Sequence, residues 1–250
     1  MNRAILPVLI VLCGAVFGQT KIEKSIPVQA GQKLVMTFDY PELIKVQTWD
    51  RKEILVRGDV SINKGENDNA FELTTQTSGN TVSISSSIRD MENLPRRIVI
   101  KKGDVEYVFK AANHKDPEVQ KFLDEHGREY TYMSTGVIKE IKLEVFVPAG
   151  METRIEAKYG LVEISSFNAP LVVDAKYGGI DATINSRATG ELIARTHFGE
   201  ILTNLDVTFD SGMLANSDYS PKWTEVSAKP GSGPKYSFES KYGKVYLRKP

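Results

Sequence analysis

Hydrophobic and polar residues alternate along much of the chain with a period of two, which is typical of β-strands that bury one face. Short stretches rich in Gly, Asn and Asp, such as residues 64–69 and 78–80, separate the alternating runs and are typical of turns. The pattern therefore predicts an all-β chain. Its main alternating runs cover residues 34–38, 54–62, 71–75, 82–84, 105–109 and 141–147.

One stretch, residues 113–130, carries the end signals of a helix instead. Asp116 stands at a position suited to an N-cap, Pro117 follows as the first helical residue, and Gly127 comes just after the last turn. A short apolar stripe lies between these signals. The sequence therefore predicts one helical insertion between strands.

A ten-residue motif occurs four times, beginning at residues 155, 173, 194 and 238. Each copy contains an aromatic residue, a glycine and, two positions later, Ile or Val. The apolar parity shifts by one after the glycine, because Ile155 and Ala157 are followed by Val162 and Ile164. A strand needs a bulge or a corner for such a shift, and glycine supplies the backbone freedom. Each copy is therefore predicted to form a strand, a glycine corner and a second strand.

Repeats of about 20 residues in strand-rich sequence are typical of β-solenoids. The predicted fold is all-β, with stacked, solenoid-like or β-helix-like strand repeats and one short helical excursion. Residues 211–235 interrupt the repeats and are interpreted either as a functional loop or as a poorly formed repeat. The predicted organisation is a signal peptide (1–18) and a single β-repeat domain (19–250) composed of N-terminal strands (19–112), the helical insertion (113–130) and the aromatic-glycine repeats (131–250).

Stacking of the copies would align the residues at their corners into a ladder. We expect the rings to belong to the core or to a lid over it, and the alternative is an exposed platform that binds sugars. Acidic and basic positions should run in parallel lines on the outward face, which is interpreted as solvated. The candidate residues are the aromatic Tyr159, Tyr177, Phe198 and Tyr242 and the basic Lys158, Lys176 and Lys241.

Composition and motifs exclude several classes of protein. The 32 basic and 32 acidic residues give no net charge, which argues against a nucleic-acid partner. The one cysteine, Cys13, leaves no disulfide framework and no cysteine-based zinc site. The three histidines lack the spacing of a metal motif, and no nucleophile elbow, phosphate loop or dinucleotide fingerprint is present. The sequence thus predicts a non-enzyme with no catalytic residues, no cofactor and no metal.

The first 18 residues indicate export. Arg3 precedes an apolar run that ends at Phe17, and the small Gly18 suits the last position before a signal-peptidase cut. The run is shorter than the roughly 20 residues that a membrane span needs. Lipidation of Cys13 is disfavoured because the large Leu12 precedes it. We expect no transmembrane segment after cleavage.

The turn at Val147–Gly150 leads into the repeated Lys-Tyr-Gly motifs, and Ile44–Asp50 followed by Glu53–Val56 stands upstream. Together these segments resemble bacterial adhesin-like proteins with β-strand repeats, a family of unknown function related to autotransporter-adhesin head domains. The resemblance implies a stacked β structure exported to the cell envelope, with no catalytic residues to transfer. The cleavage site is similar to those of Bacteroidetes-like bacteria, which implies the periplasm or surface of a Gram-negative cell. The resemblance covers most of residues 25–247, except 85–130 and 206–235.

The leading hypothesis is an exported, non-enzymatic, adhesin-like scaffold that binds an envelope protein or a polysaccharide. The alternative is a carbohydrate-active enzyme or a glycan-binding module on a β-helix, and an enzyme would need carboxylates that converge in a concave groove. A third hypothesis is assembly through an exposed sheet edge. The sequence leaves the ligand and the oligomeric state open.

The signal-peptide assignment predicts that the exported protein begins at Gln19, because Val16 and Gly18 flank the expected cut with residues that signal peptidase accepts. N-terminal sequencing of material recovered from outside the cytoplasm tests this. A chain that still begins at Met1 would contradict the assignment.

Overall fold

The computed structural model describes residues 19–214 and 223–250. The predicted signal peptide, 1–18, and residues 215–222, which include Tyr219 of the predicted interruption, lie outside the described residues. The structure confirms a mostly β chain: 54% of the described residues lie in strands, and they contain one α-helix.

The strands follow one another closely along the chain, and the helix α1 (Pro117–His126) lies between the eighth and the ninth strand. In chain order they are β1 (Thr20–Pro27), β2 (Lys33–Phe38), β3 (Leu43–Trp49), β4 (Glu53–Ile62), β5 (Phe71–Ser78), β6 (Thr81–Ile88), β7 (Arg97–Lys102), β8 (Val105–Phe109), β9 (Tyr132–Gly136), β10 (Lys139–Pro148), β11 (Thr153–Ala157), β12 (Leu161–Ser165), β13 (Leu171–Ala175), β14 (Ile180–Thr183), β15 (Glu191–Thr196), β16 (Ile201–Thr203), β17 (Asp210–Leu214), β18 (Trp223–Ala228), β19 (Lys235–Ser240) and β20 (Val245–Arg248).

The described strands form two large sheets and one small one. The first large sheet has the order β1–β4–β10–β3–β12–β14–β20–β16, and the second has the order β17–β18–β15–β19–β13–β11–β2–β6–β5. The small sheet has the order β8–β7–β9. Apolar side chains from both large sheets belong to one hydrophobic core, so each large sheet buries one face against the other.

Five units in the described residues consist of a strand in the second sheet, a corner and a strand in the first sheet. Neighbouring units pair in parallel in both sheets. Four of the units are the predicted copies, and the fifth, β2–β3, comes from the N-terminal half of the chain. In spatial order the units are β2–β3, β11–β12, β13–β14, β19–β20 and β15–β16.

The fourth copy does not occupy the place that its position in the sequence suggests. Strand β19 lies between β13 and β15, and β20 lies between β14 and β16. The copies therefore do not stack in chain order at this point. The intervening residues form β17 and β18, and β18 pairs antiparallel with the free edge of β15. Of the predicted interruption, 211–235, the structure describes residues 211–214 and 223–235, and these include nearly all of both strands.

Burial confirms the parity shift across the corners. Ile155 and Ala157 are buried before the corner of the first copy, and Val162 and Ile164 are buried after it. The second copy repeats this arrangement in β13 and β14. Each corner therefore turns the apolar side of both flanking strands toward one core.

The helical insertion is confirmed at Pro117–His126 and belongs to a larger substructure. The Asp116 carboxylate accepts the backbone N–H of Glu118 at 3.0 Å and caps the helix. Helix α1 and the small sheet share a core separate from that of the large sheets, with Ile98, Ile100, Phe109, Val119 and Leu123 among its buried residues. The strands β7, β8 and β9 of this substructure surround the predicted helical segment in the sequence.

The corner glycines are required mainly by close packing between units. A β-carbon on Gly178 would lie 1.5 Å from the carbonyl oxygen of Gly160, and one on Gly243 would lie 2.0 Å from that of Gly178. A β-carbon on Gly199 would lie 1.9 Å from the oxygen of Gly243. Of these four, Gly160 has a left-handed backbone, with a φ of 80°. The predicted need for backbone freedom therefore holds at Gly160, whereas the other three leave no room for a side chain.

Two hydroxyl groups tie this glycine column together. The Ser240 hydroxyl accepts the N–H of Gly243 at 2.9 Å and donates to the carbonyl of Gly178 in the neighbouring unit at 2.8 Å. The Thr196 hydroxyl makes the same pair of bonds to Gly199 and Gly243, at 3.1 and 3.2 Å. Each hydroxyl thus shapes its own corner and binds it to the next one.

We expect Gly178→Ala to destabilise the fold strongly, since its β-carbon would overlap a backbone oxygen that cannot rotate away. Overpacking of this kind costs on the order of 1–3 kcal/mol or more. Gly136→Ala in β9 is the matched control, because nothing lies within 4 Å of its added β-carbon. Thermal unfolding followed by circular dichroism measures both variants. Equal melting temperatures for the two would contradict the packing argument.

Candidate binding surface at the stacked corners

The aromatic residues of the five corners form one stacked column. From Tyr40 through Tyr159, Tyr177 and Tyr242 to Phe198, successive ring centroids lie 6.2, 5.3, 5.1 and 5.0 Å apart. The angles between successive ring planes are 17°, 18°, 10° and 6°. The structure therefore brings together the four predicted aromatic residues and adds Tyr40, and Phe198 stacks on Tyr242 because of the spatial order of the units.

We expect these rings in the core or in a lid over it, and the structure shows that a place in the core is wrong. Tyr159, Tyr177 and Tyr242 are 41%, 47% and 44% exposed, and Phe198 is 52% exposed. Strand β11 ends at Ala157, so the alternation that buries Ala157 no longer governs the residue two positions later. The column lies on the outside of the corners instead.

Stacking determines which parts of the rings face solvent. Each inner ring has a neighbouring ring on both faces, so the column presents mainly ring edges to solvent. In the described part of the chain, the hydroxyls of Tyr159, Tyr177 and Tyr242 make no hydrogen bond, so their donors and acceptors are available to a ligand. A sugar ring cannot lie flat on an inner ring of this column, but its hydroxyls can bond to the tyrosine edges.

Each tyrosine of the column has a lysine ammonium near its ring. The Nζ atoms of Lys158, Lys176 and Lys241 lie 5.6, 5.1 and 5.5 Å from the centroid of the tyrosine that follows each of them. Such cation–π contacts contribute about 0.5–1 kcal/mol at exposed sites. In the unit that carries Phe198, His197 takes the place of the lysine and stacks on Trp223 at 4.9 Å.

Acidic residues form a second line on the outer face of the second sheet. Glu156 pairs in register with Asp174, and Asp174 pairs with Glu239. Arg195 continues the line and binds Glu225, while Glu156 binds Arg154 at 2.8 Å. Burial and the neighbouring Asp174 carboxylate raise the pKa of Glu239 above its ordinary range. The predicted parallel lines of charge are thus present, and they place like charges side by side.

A shallow cavity of about 230 Å³ lies beside this line and is lined by Glu156, Asp174, Lys158 and Lys176, among others. Small-molecule sites usually enclose roughly 300–1,000 Å³. The carboxylates therefore lie along an open face, and the cavity beside them is smaller than one that would enclose a sugar substrate.

No group of three or more His, Cys, Asp or Glu side chains in residues 19–214 and 223–250 is arranged to hold a metal ion. In the same ranges, no helix is long and apolar enough to cross a membrane.

Sequence reasoning missed Tyr40 and its lysine, Lys139, whose Nζ lies 5.9 Å from the Tyr40 ring. The N-terminal corner reads Asp39-Tyr40-Pro41 and lacks the glycine by which the other corners were found. One signal was present: Phe38 ends an alternating strand, and an aromatic residue follows two positions later, as in the repeats.

No protein-family model and no curated protein sequence matches the chain. Among solved structures, it is similar to a "putative cell adhesion protein" from Clostridium sporogenes ATCC 15579, with 9% identity, a TM-score of 0.48, and coverage of 93% of this chain and 100% of the other. It is also similar to a "putative adhesin" from Bacteroides fragilis NCTC 9343, with 11% identity, a TM-score of 0.23, and coverage of 92% and 97%. Both TM-scores lie below 0.5, so function is inferred below from the geometry of this chain.

The raised pKa of Glu239 gives a stability prediction with a definite sign. A carboxyl whose pKa is higher in the fold than its ordinary value of 4.5 destabilises the fold when it is ionised. This cost is present above the folded pKa and disappears as the pH falls through that value toward 4.5. We expect Glu239→Gln to raise the melting temperature near neutral pH, with a gain that shrinks on acidification.

Glu191→Gln is the control of opposite sign. The hydrogen bond from Lys235 lowers the pKa of Glu191, so its carboxylate stabilises the fold above the ordinary carboxyl range. Removing that charge should lower the melting temperature near neutral pH, and the loss should shrink as the pH falls through the folded pKa. Melting curves across a pH series test both variants, and the same sign for the two would contradict the assignment.

Proposed function

We propose that this protein is an exported, non-enzymatic, adhesin-like scaffold of the cell envelope that binds an envelope polysaccharide along the aromatic column. The observation that carries the proposal is the column itself, which holds three tyrosines and one phenylalanine more than 40% exposed in one line. Large aromatic groups exposed together usually mark an interaction surface. The signal-peptide pattern of residues 1–18 supports export.

The column suits a ligand that repeats. Its rings recur at 5.0 to 5.3 Å from Tyr159 to Phe198, so equivalent groups face solvent at a nearly constant interval. A polysaccharide also presents equivalent hydroxyls at regular intervals along its length. Many weak bonds made in this way add up to useful affinity although each contributes only about 1 kcal/mol.

The stack also lowers the cost of binding. A free tyrosine side chain loses rotamer freedom when a ligand fixes it, and ordering of this kind opposes association. Here the neighbouring rings already hold each inner tyrosine in place, as the interplanar angles of 10° and 18° around Tyr177 indicate. The folding of the corners therefore preorganises the surface before the ligand arrives.

The architecture that we propose for the scaffold is solenoid-like. Its support is the path of the five units, each of which crosses from the second sheet to the first and pairs in parallel with its neighbours. This path gives the column its straight course, because every corner lies beside the next one.

A second candidate function, a carbohydrate-active enzyme, has one observation in its favour. Burial and the neighbouring Asp174 carboxylate raise the pKa of Glu239, and a carboxyl with a raised pKa is a group that general acid catalysis uses. Against it stands the open face on which these groups lie, since the cavity beside them is only about 230 Å³. The binding role is therefore the function that the geometry supports best.

The test removes the hydroxyls of the column and keeps its rings. We expect the triple variant Tyr159→Phe, Tyr177→Phe and Tyr242→Phe to bind isolated envelope polysaccharide on the order of 100-fold more weakly, at about 1 kcal/mol for each lost hydrogen bond. Affinity electrophoresis in gels containing the polysaccharide measures the change. The matched control is Tyr130→Phe with Tyr132→Phe, two tyrosines 45% and 51% exposed outside the column.

Three outcomes would overturn the proposal: no retardation of the natural chain, equal loss in the control, or unchanged binding of the triple variant. The same incubations are assayed for newly formed reducing ends. Release of reducing sugar that Glu239→Gln abolishes would favour the enzyme instead.

A further inference from the structure

A second cavity, of about 430 Å³, lies where the small sheet meets the start of β10. Arg97 and Val99 of β7 line it, and Ser134 of β9 pairs with Val99 and therefore points to the same side of the small sheet. Lys139, the first residue of β10, also lines the cavity. The volume falls within the range of roughly 300–1,000 Å³ that is usual for small-molecule sites. The cavity is separate from the four exposed rings of the aromatic column.

The lining is predominantly cationic. Arg96, Arg97 and Lys139 contribute three positive charges, and Glu92 is the one carboxylate among the described lining residues. The buried Arg97 is already neutralised, since its guanidinium binds Glu66 at 2.7 Å. Arg96 and Lys139 form no ion pair with any described residue. Two positive charges at the cavity therefore lack a negative partner.

Lys139 is the less solvated of these two cations. Its ammonium donates a hydrogen bond to the backbone carbonyl of Val137 at 3.1 Å, and its other contact is the ring of Tyr40. Burial, with no carboxylate to offset it, lowers the pKa of Lys139. Partial burial of an uncompensated charge costs free energy, and an anion that entered the cavity would recover part of that cost.

The walls also contain an apolar part. Met91, Leu94 and Val137 are half-buried and pack against the main core, and they line the cavity together with Val99. Small-molecule sites are typically lined by apolar side chains together with a few polar or charged groups that orient the ligand.

We propose that this cavity binds a small organic anion, with its phosphate or carboxylate group placed between Lys139 and Arg96. The ammonium and the guanidinium supply charge-assisted donors, which form shorter and stronger hydrogen bonds than neutral donors do. The apolar walls cover the rest of the ligand. The site uses none of the exposed tyrosine hydroxyls that the proposed polysaccharide surface requires, so the two proposals stand or fall separately.

The test is isothermal titration calorimetry, in which the full exported chain is titrated separately with inorganic phosphate, glucose 1-phosphate and glucuronate. Unmodified glucose is the uncharged control. We expect saturable binding of at least one anion and no binding of glucose. Binding of glucose 1-phosphate alone identifies a phosphate monoester as the ligand class, and binding of glucuronate alone identifies a carboxylate.

Variants assign the binding to the cavity. Lys139→Met and Arg96→Met should each weaken binding of the anion at least tenfold. Lys142→Met is the matched control, because Lys142 lies on the same strand but forms an ion pair with Glu42 at 3.5 Å away from this cavity. Absence of saturable binding for all three anions, or unchanged affinity in Lys139→Met, would overturn the proposal.

A measurement on the unaltered chain tests the proposal even if a variant fails to fold. Acylation of lysines by a small amine-reactive ester is followed residue by residue by mass spectrometry. The bound anion should slow the acylation of Lys139 several-fold and leave that of Lys142 unchanged. Equal rates for Lys139 with and without a saturating anion would contradict the proposal as well.

Discussion

The close approach of backbone to backbone at the corners is the constraint on which the rest of the structure depends. Gly178 and Gly243 each lie so near the carbonyl of a neighbouring glycine that no side chain fits between them. This contact fixes the register of adjacent units, and a fixed register places equivalent residues side by side in both sheets. The core, the aromatic column and the lines of charge follow from it.

The fixed register between adjacent units both stabilises and destabilises the fold. It aligns apolar residues such as Ile155 and Val173 into a continuous core, but it also sets Glu156, Asp174 and Glu239 beside one another, where like charges repel. It leaves four aromatic rings in solvent. A chain selected for stability alone gains little from either feature, which is why an interaction role is the more economical explanation of the exposed rings.

Local signals in the sequence predicted much of the fold. Alternation identified strands such as β4 and β10, and the cap at Asp116 with Pro117 identified α1, because these patterns depend on neighbouring residues. The order of the units, the fifth unit at Tyr40 and the cavity at Lys139 depend on contacts between distant segments. The exposure of Tyr177 was mispredicted for a similar reason: alternation describes a strand, and the ring lies just beyond the end of one.

The position of the C-terminal unit has a consequence for how the protein matures. Strands β15 and β16 precede β19 and β20 in the chain but lie outside them in the sheets, so their pairing with β19 and β20 can form only after those later strands are present. Contacts between such distant segments form slowly, because a long loop must close first. This topology therefore delays completion of both large sheets until β19 and β20 have been synthesised and have inserted between the earlier units.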